Sequence, residues 1–565
     1  MGVRKETERV YQGQNNANFV RADLLVERNR CLQTTDRRIA GQSNNKRIVL
    51  IKPPLYTCET FSPIRSSQPL GIWQLGSFLQ SRGYEVRIID SVIEGWGNKT
   101  YLSSGARFDF SSHLAQKVRD LHSLDSEQFL EKHPVTDAEG RIARTLVRTG
   151  LAEDAIADRI RDFDPGWIGI SIIATCEHRS AMDLAKRLRR EFPAATIVAG
   201  GQHATAMAGT VLADSEASID FVVMGNGELA MEALLEGRNP GQGLAYTRNG
   251  ALVEQPDSPL TPMDVLPPLD PLLLAHVPYP LPATHSYGTM NRKYTDWMLS
   301  FGCHKACDFC VEGLVKSGYR HLSLSQVEAQ LRTFREHGYE ELILQDDSLL
   351  GGPKNDGKAF FLETIRLFKK YGFHWHDNGG VEFERLDSRV VDEILQLNSQ
   401  PGEGSCTALY VPFNPRYIGD NRALDRHRDT KPENIELLRR LKENGVYTFT
   451  SWIWGHVDQS VEDMQANTRS YEELLSGGYI DQAIIFGLSY LPRTIDWMKY
   501  KQHIVDLRDW EGYSIFVPHA GTIKASFKEV NLAVLDAYRR LNRLQPHVEP
   551  WAYGFPPIVP EGWGK

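Results

Sequence analysis

Short, unbroken apolar runs alternate along this chain with segments whose apolar residues recur every three or four positions. RIVLI (47–51) reads as a buried strand. In IWQLGSFLQSRGY (72–84), Ile72, Leu75 and Leu79 share a helical face and Gly83 ends the helix. EVRIID (85–90), WIGISII (167–173), ATIVAGG (195–201) and DFVVMGNGE (220–228) read as further strands, with helices over EDAIADRIRDF (153–163) and RSAMDLAKRLRREF (179–192). Strands alternating with helices predict an α/β, Rossmann-like unit with a parallel sheet covered on both faces. Strands that end in glycine or small polar residues put a ligand site along their C-terminal edge. Residues 91–150 interrupt the rhythm as an insertion beside that edge, and residues 1–45 read as a polar, aperiodic extension.

The pattern shifts near 251. SPLTPMDVLPPLDPLLLAHVPYPLP (258–282) is rich in proline and leucine, and 251–293 reads as an extended linker packed across a domain junction. From 294 to 505 the alternation resumes. WMLSFG (297–302) reads as a strand. SQVEAQLRTFREHG (325–338) reads as a helix with a Ser325–Glu328 capping box, a face of Val327, Leu331 and Phe334, and a stop at Gly338. Strands over ELILQDD (341–347), HWHDNGGVEF (374–383), TALYVPF (407–413), YTFTSWIWG (447–455) and QAIIFGLSY (482–490) complete six strand–helix units, with Thr430 and Glu433 capping the helix at 434–445. These units predict a partial (β/α)6, TIM-like barrel with its chemistry at the C-terminal mouth. Residues 506–565 form a small C-terminal extension, with a helix near 526–543, that straps the barrel.

Composition narrows the class. A chain of 565 residues divides into two or three domains, and 41% hydrophobic with 24% charged residues is ordinary for a globular protein. The net charge of −8 disfavours a nucleic-acid partner. No apolar run approaches membrane-spanning length and the N-terminus has no signal-peptide core, so a cytoplasmic location is expected. Four of the seven cysteines (Cys31, Cys58, Cys176 and Cys406) are scattered and form no disulfide framework, which fits a reducing compartment.

The other three stand together in SFGCHKACDFCVEG (300–313) as Cys303, Cys307 and Cys310, spaced C-x3-C-x2-C. Three clustered thiolates make a soft-metal site. One reading is an iron–sulfur cluster, which usually takes four cysteines and here would keep one iron open. The other is structural zinc with His304 as fourth ligand; zinc prefers two separated ligand pairs, and no second pair exists. His374 and His376 share a strand face without a third ligand and read as strand residues. Cys406 lies at the beginning of its strand, the wrong end for a fourth ligand.

With Phe309 just before the last cysteine, this loop resembles the signature of the radical S-adenosylmethionine (SAM) family. The resemblance implies a [4Fe-4S] cluster on Cys303, Cys307 and Cys310. Its open iron binds the amino and carboxylate groups of SAM, and one electron cleaves SAM to a 5′-deoxyadenosyl radical. Acidic residues after the second strand contact the SAM amino group in that family, and the glycine region of the fifth strand contacts adenine. Phe309, Gln345, Asp346, Asp347, Trp454 and Gly455 are the matching SAM-binding positions. The E-S-G-like turn the family often carries after strand four is replaced here by YVPFNPRYIGDN.

The order of Pro53–Pro54, QPLG (68–71), GIS (169–171), GGQHAT (200–205) and GNGE (225–228) resembles the cobalamin-binding domain found before radical SAM domains, over most of residues 46–250. It implies cobalamin contacts from Pro54, Leu70, Gly71, Ser171, Thr175, Gly200, Gly201, His203, Ala204, Gly225, Gly227 and Glu228. The D-x-H-x-x-G motif that supplies a histidine beneath cobalt is missing, and the near match at Asp425, His427 and Thr430 lies in the other domain. Cobalamin is therefore expected base-off with no histidine ligand, His203 serving as a pocket wall. Cys58, in the loop after the first strand, is a loop residue whose alternative role is to approach the lower face of cobalt.

Together the two resemblances imply a cobalamin-dependent radical SAM C-methyltransferase, most like those of antibiotic and other natural-product biosynthesis. It would act on a small molecule through methylcobalamin and be fed by a low-potential reductant such as flavodoxin or ferredoxin, with no nucleic acid or membrane. The alternatives are a cobalamin radical SAM cyclase or ring-rearranging oxidoreductase without methyl transfer, and a cobalamin- or metal-sensing module. A methylthiotransferase needs a further cluster-binding cysteine set, which this chain does not hold.

Overall fold

The computed structural model describes residues 46–545 apart from 59–66, 96–98, most of 102–145, 280–291, 304, 306, 312–317, 353–355, 414–431, 505 and 514–517. Its first unit contains β1 (Arg47–Lys52), β2 (Leu55–Cys58), α1 (Leu70–Ser81), β3 (Glu85–Asp90), β4 (Lys99–Tyr101), β5 (Leu146–Thr149) and β6 (Trp167–Ser171). It continues with α2 (His178–Glu191), β7 (Thr196–Gly200), β8 (Phe221–Val223), β9 (Leu244–Arg248) and β10 (Ala251–Glu254). Strands β3, β1, β6, β7 and β8 are parallel neighbours in that order. Chain direction across the sheet therefore reverses between β1 and β6, the place where doubly wound sheets open a ligand crevice. The strands are near-continuous Ile, Val and Leu because both faces are covered, and Ile48, Val49, Leu50 and Ile51 are each at most 1% exposed.

Two expectations shift here. The antiparallel hairpin of β9 and β10 extends the first sheet, so Ala251–Glu254, read as linker, belongs to the first unit. Cys58 is the last residue of a strand, because β2 joins β5 and β4 of the insertion in a small antiparallel sheet.

The second unit holds β11 (Tyr294–Trp297), β12 (Ser300–Phe301), β13 (Arg320–His321), α3 (Leu324–Glu336), β14 (Glu341–Leu344), β15 (His374–Asp377) and β16 (Cys406–Tyr410). Then follow β17 (Tyr447–Trp454), α4 (Val461–Ser476), β18 (Gln482–Gly487) and, in the C-terminal extension, α5 (Phe527–Leu544). β11, β14, β15, β16, β17 and β18 form an all-parallel six-stranded sheet, the expected partial barrel. The apolar run WMLSFG is divided: Trp297 ends β11, while Ser300 and Phe301 pair antiparallel with His321 and Arg320 across the cysteine loop. The capping box of α3 is Ser323 with Gln326 rather than Ser325 with Glu328, since Ser323 is the last residue with extended backbone before the helix. The helix after β16 begins at Pro432, and Thr430 lies outside the described residues.

The linker joins the two units into one continuous apolar core. Leu269, Leu273, Leu274 and Val277 are buried between α1 and α3, the Trp73 indole N–H donates to Asp270 O at 2.8 Å, and Gln330 bonds both the N–H and the carbonyl of Leu269. α5 packs on α4 and β18 through the Arg540–Glu472 ion pair and the Tyr538 hydroxyl, which donates to Ile485 O.

Candidate functional site

A cavity of about 730 Å³ lies where the C-terminal edge of the first sheet faces the mouth of the barrel. Lys52 and Ser171 stand at its floor, at the ends of β1 and β6 on either side of the switch point. Of the cobalamin candidates, Leu70, Gly71, Ser171, Gly200, Gly201, Gly225, Gly227 and Glu228 line it. Backbone conformation explains two of the glycines. Gly201 has φ +102° and a Cβ there would sit 2.5 Å from Ile172 O; Gly225 has φ +78° and a Cβ would meet Ser258 O at 3.0 Å. A Cβ on Gly71 would meet nothing within 4 Å.

Pro54, Thr175, His203 and Ala204 are not on the cavity wall. His203, expected as a wall residue, is 3% exposed beneath it. Its Nε2 lies 2.9 Å from His178 Nδ1 and its Nδ1 lies 3.1 Å from the Thr175 hydroxyl. Burial, with His178 alongside, drives its pKa down to about 3, so it stays neutral. Its ring is occupied inside the protein because the turn after Gly201 points it away from the ligand edge.

The barrel contributes Trp297, Met298, Phe301, Arg320 and Gln345 to the same cavity. Gln345 Nε2 donates to Asp296 Oδ1 at 2.6 Å, and Asp296 Oδ2 accepts the Gln68 N–H at 2.8 Å. The QPLG segment of the first unit is thereby tied directly to the first barrel strand.

The other SAM candidates face elsewhere. Asp346 is fully buried and accepts from Leu299 N, Ser300 N and the Ser300 hydroxyl, the last two at 2.6 Å. Burial outweighs those bonds and lifts its pKa to about 7. Asp347 Oδ2 accepts from Gly302 N at 2.9 Å. Both carboxylates hold the strand that enters the cysteine loop. Trp454 is turned into the helix layer, its indole N–H donating to Met464 O at 3.1 Å. Gly455, with φ +83°, donates to Gln459 Oε1, and a Cβ there would press on Val530 of α5 at 2.9 Å. Phe309 meets the fifth-strand end through an edge-on contact with His456, ring centroids 5.2 Å apart.

Cys303, Cys307 and Cys310 are half-buried and form no disulfide. Cys310 N donates to Cys307 O in a tight turn, and Lys305 pairs with Glu384 at 2.5 Å, pinning the loop to the turn after β15. Burial raises the Cys303 thiol. In number and softness the three donors fit a four-iron cluster; among the described residues no three His, Cys, Asp or Glu side chains stand grouped as metal ligands. Cys406 is buried at the start of β16, and His376 is paired inside the sheet with Glu341 at 3.3 Å, as their strand positions predicted.

Sequence reasoning missed several wall residues. Gln68 stood inside a quoted motif, and Cys176 and Glu177 follow GIS closely. Glu511 and Tyr513 come from the C-terminal extension, where no motif marks them.

A domain family described as the B12 binding domain matches residues 131–235. The chain is 26% identical over 524 residues to the cytidylyl-2-hydroxyethylphosphonate methyltransferase of Streptomyces wedmorensis, covering 83% of this chain and 87% of that protein. An uncharacterized methyltransferase of Pyrococcus horikoshii is 25% identical, over 58% of this chain and 69% of its own length. Among solved structures, the radical SAM methyltransferase TsrM of Kitasatospora setae, with cobalamin and a [4Fe-4S] cluster bound, shares the fold. Its TM-score is 0.52 at 14% identity, over 86% of this chain and 81% of that one. No helix among the described residues is long and apolar enough to cross a membrane. The matched domain bears out the cobalamin-binding resemblance drawn from the sequence, and the chain as a whole shares the two-unit fold of a radical SAM methyltransferase.

Proposed function

We propose that this chain is a cobalamin-dependent radical SAM methyltransferase that methylates a carbon of a small-molecule, natural-product intermediate. The observation that carries the reading is the single cavity bounded by both the glycine edge of the first sheet and the mouth residues of the barrel. One substrate can there meet chemistry from both domains. When bound, the cluster with SAM supplies a 5′-deoxyadenosyl radical and cobalamin supplies the methyl group.

The chain's own part is to hold and position. Cys303, Cys307 and Cys310 are the cluster ligands, on a loop fixed by Asp346, Asp347 and the Lys305–Glu384 pair. Gly71, Gly200, Gly201, Gly225 and Gly227 let backbone approach a large flat ligand. Leu269 of the linker and Leu70, Ile72 and Leu75 of α1 give the cavity an apolar flank. Phe309 and Gly455 form the adenine side of the SAM site. Gln345 lines the cavity on the barrel side.

The relatives support the substrate class. One is named for methylating a cytidylyl hydroxyethylphosphonate, and a TsrM structure holds tryptophan as substrate. A low-potential reductant such as flavodoxin or ferredoxin would deliver electrons in a reducing cytoplasm. The test is anaerobic reconstitution followed by methyl-labelled SAM with candidate intermediates. Label in the product together with 5′-deoxyadenosine is expected; 5′-deoxyadenosine with unlabelled, rearranged product would make the enzyme a cyclase or oxidoreductase, and no SAM cleavage at all would leave a sensing module.

A further inference from the structure

The extension that follows the barrel reaches back onto the first domain. Residues Trp510–Gly512 form a short turn packed on the Thr175–Glu177 turn after β6. Three contacts pin it. Arg508 pairs with Asp214 at 2.6 Å, across 294 residues of sequence. The Trp510 ring lies on His178, centroids 4.4 Å apart. Arg179 Nε lies 2.6 Å from Glu511 Oε1.

Glu511 is 1% exposed and lines the cavity, with Tyr513 beside it. Its Oε2 has no hydrogen-bond partner. A buried carboxylate oxygen without a donor costs free energy unless a ligand supplies one. Of the other wall carboxylates, Glu177 spends Oε2 on Ile173 N and Ala174 N, while Glu228 accepts the Thr261 hydroxyl. Glu511 is thus a buried acceptor in the cavity wall with its bonding incomplete. The corrin periphery of cobalamin carries primary amides, whose N–H groups are donors of the required kind.

Resting on the cobalamin reading of this cavity, we propose that Glu511 is a cobalamin-binding residue, accepting an amide N–H of the corrin periphery, and that the C-terminal extension is a wall of the cobalamin site. The cofactor site is therefore completed only when the segment from Arg508 to Tyr513 has docked on the first domain.

The test is spectral titration of the full-length, cluster-loaded protein with hydroxocobalamin, with cluster iron read in the same samples as a check on folding. Glu511→Leu, which keeps the wall filled, is expected to weaken affinity about tenfold, about 1.4 kcal/mol. Glu511→Gln, which retains a weaker acceptor, is expected to weaken it about threefold, with iron unchanged in both. Wild-type affinity in Glu511→Leu overturns the proposal; should that variant lose its iron through misfolding, wild-type affinity in Glu511→Gln overturns it. Wild-type protein that binds no hydroxocobalamin overturns the assignment of the cavity itself, a failure distinct from an unchanged Leu variant.

Discussion

The two ligand edges that face each other across the cavity are built on opposite plans. The first sheet's edge is bare of side chains: Gly71, Gly200, Gly201, Gly225 and Gly227 present backbone to the cavity, with open space beside Gly71 and close backbone packing behind Gly201 and Gly225. At the barrel mouth the acidic side chains bond inward to the protein, although Asp377 keeps one oxygen, Oδ1, without a partner. Asp346 and Asp347 hold residues 299–302, Glu382 accepts from the Ser348 hydroxyl and Leu350 N, and the buried Asp377 accepts from Gly380 N. An edge that receives a large cofactor by shape needs room, so its recognition sits in missing side chains. A mouth that must hold a loop of three thiols steady needs bracing, so its charges turn inward.

The largest expected effect lies on the braced side. Cys303→Ala, like the equivalent changes at Cys307 and Cys310, should remove the cluster iron and leave no detectable 5′-deoxyadenosine, while cobalamin binding persists. Retention of SAM cleavage would break the comparison at its root.

On the bare side, Gly201→Val forces a β-branched residue into a conformation kept for glycine and against Ile172 O. A loss of about 3 kcal/mol in denaturant unfolding is expected, with cobalamin released. Asp346→Ala strands two buried N–H groups and a hydroxyl, for a loss of about 2 kcal/mol and a fall in cluster iron. Asp346→Asn keeps an acceptor and should hold its iron.

The Asn variant also sharpens the comparison through pH. Asp346 titrates near 7 when folded against an ordinary value of 3.8, so the folded protein holds the extra proton between them. The stability this contributes is complete below about pH 4 and is lost as pH rises through 7. Apo Asp346→Asn should therefore gain on wild type steadily from pH 5 to pH 7.5; equal slopes would show that Asp346 does not titrate there.

The smallest effect concerns how the two edges are held together. Arg493, with φ +70°, reaches from the loop after β18 to pair with Asp257 at 2.8 Å and to contact Thr205 O. Arg493→Ala should cost about 1 kcal/mol and raise the ratio of 5′-deoxyadenosine to methylated product. An unchanged ratio would mean that the linker core alone sets the register of the domains.

Much of the architecture was legible because it rests on local patterns. Apolar period predicted the barrel strands to within a few residues, three thiols in one loop announced a soft-metal site, and the order of the glycine motifs located the cavity edge. The misreadings share a cause. Ser323, rather than Ser325, caps α3 because the backbone turns there, and WMLSFG divides because its second half pairs across the loop.

Side-chain direction was not legible. His203 and Asp346 occupy motif positions, yet each turns inward, because a buried polar group goes to whichever partner the packing brings near. Glu511 had no local mark at all. Its burial depends on Arg508, Trp510 and Arg179 meeting residues of a distant domain, and pairings between remote segments exist only once both domains are folded against each other. Sequence alone determined which elements form and which chemistry they carry; tertiary structure decided which of those groups remain available to a ligand, since availability is what is left after every buried donor and acceptor has found its partner.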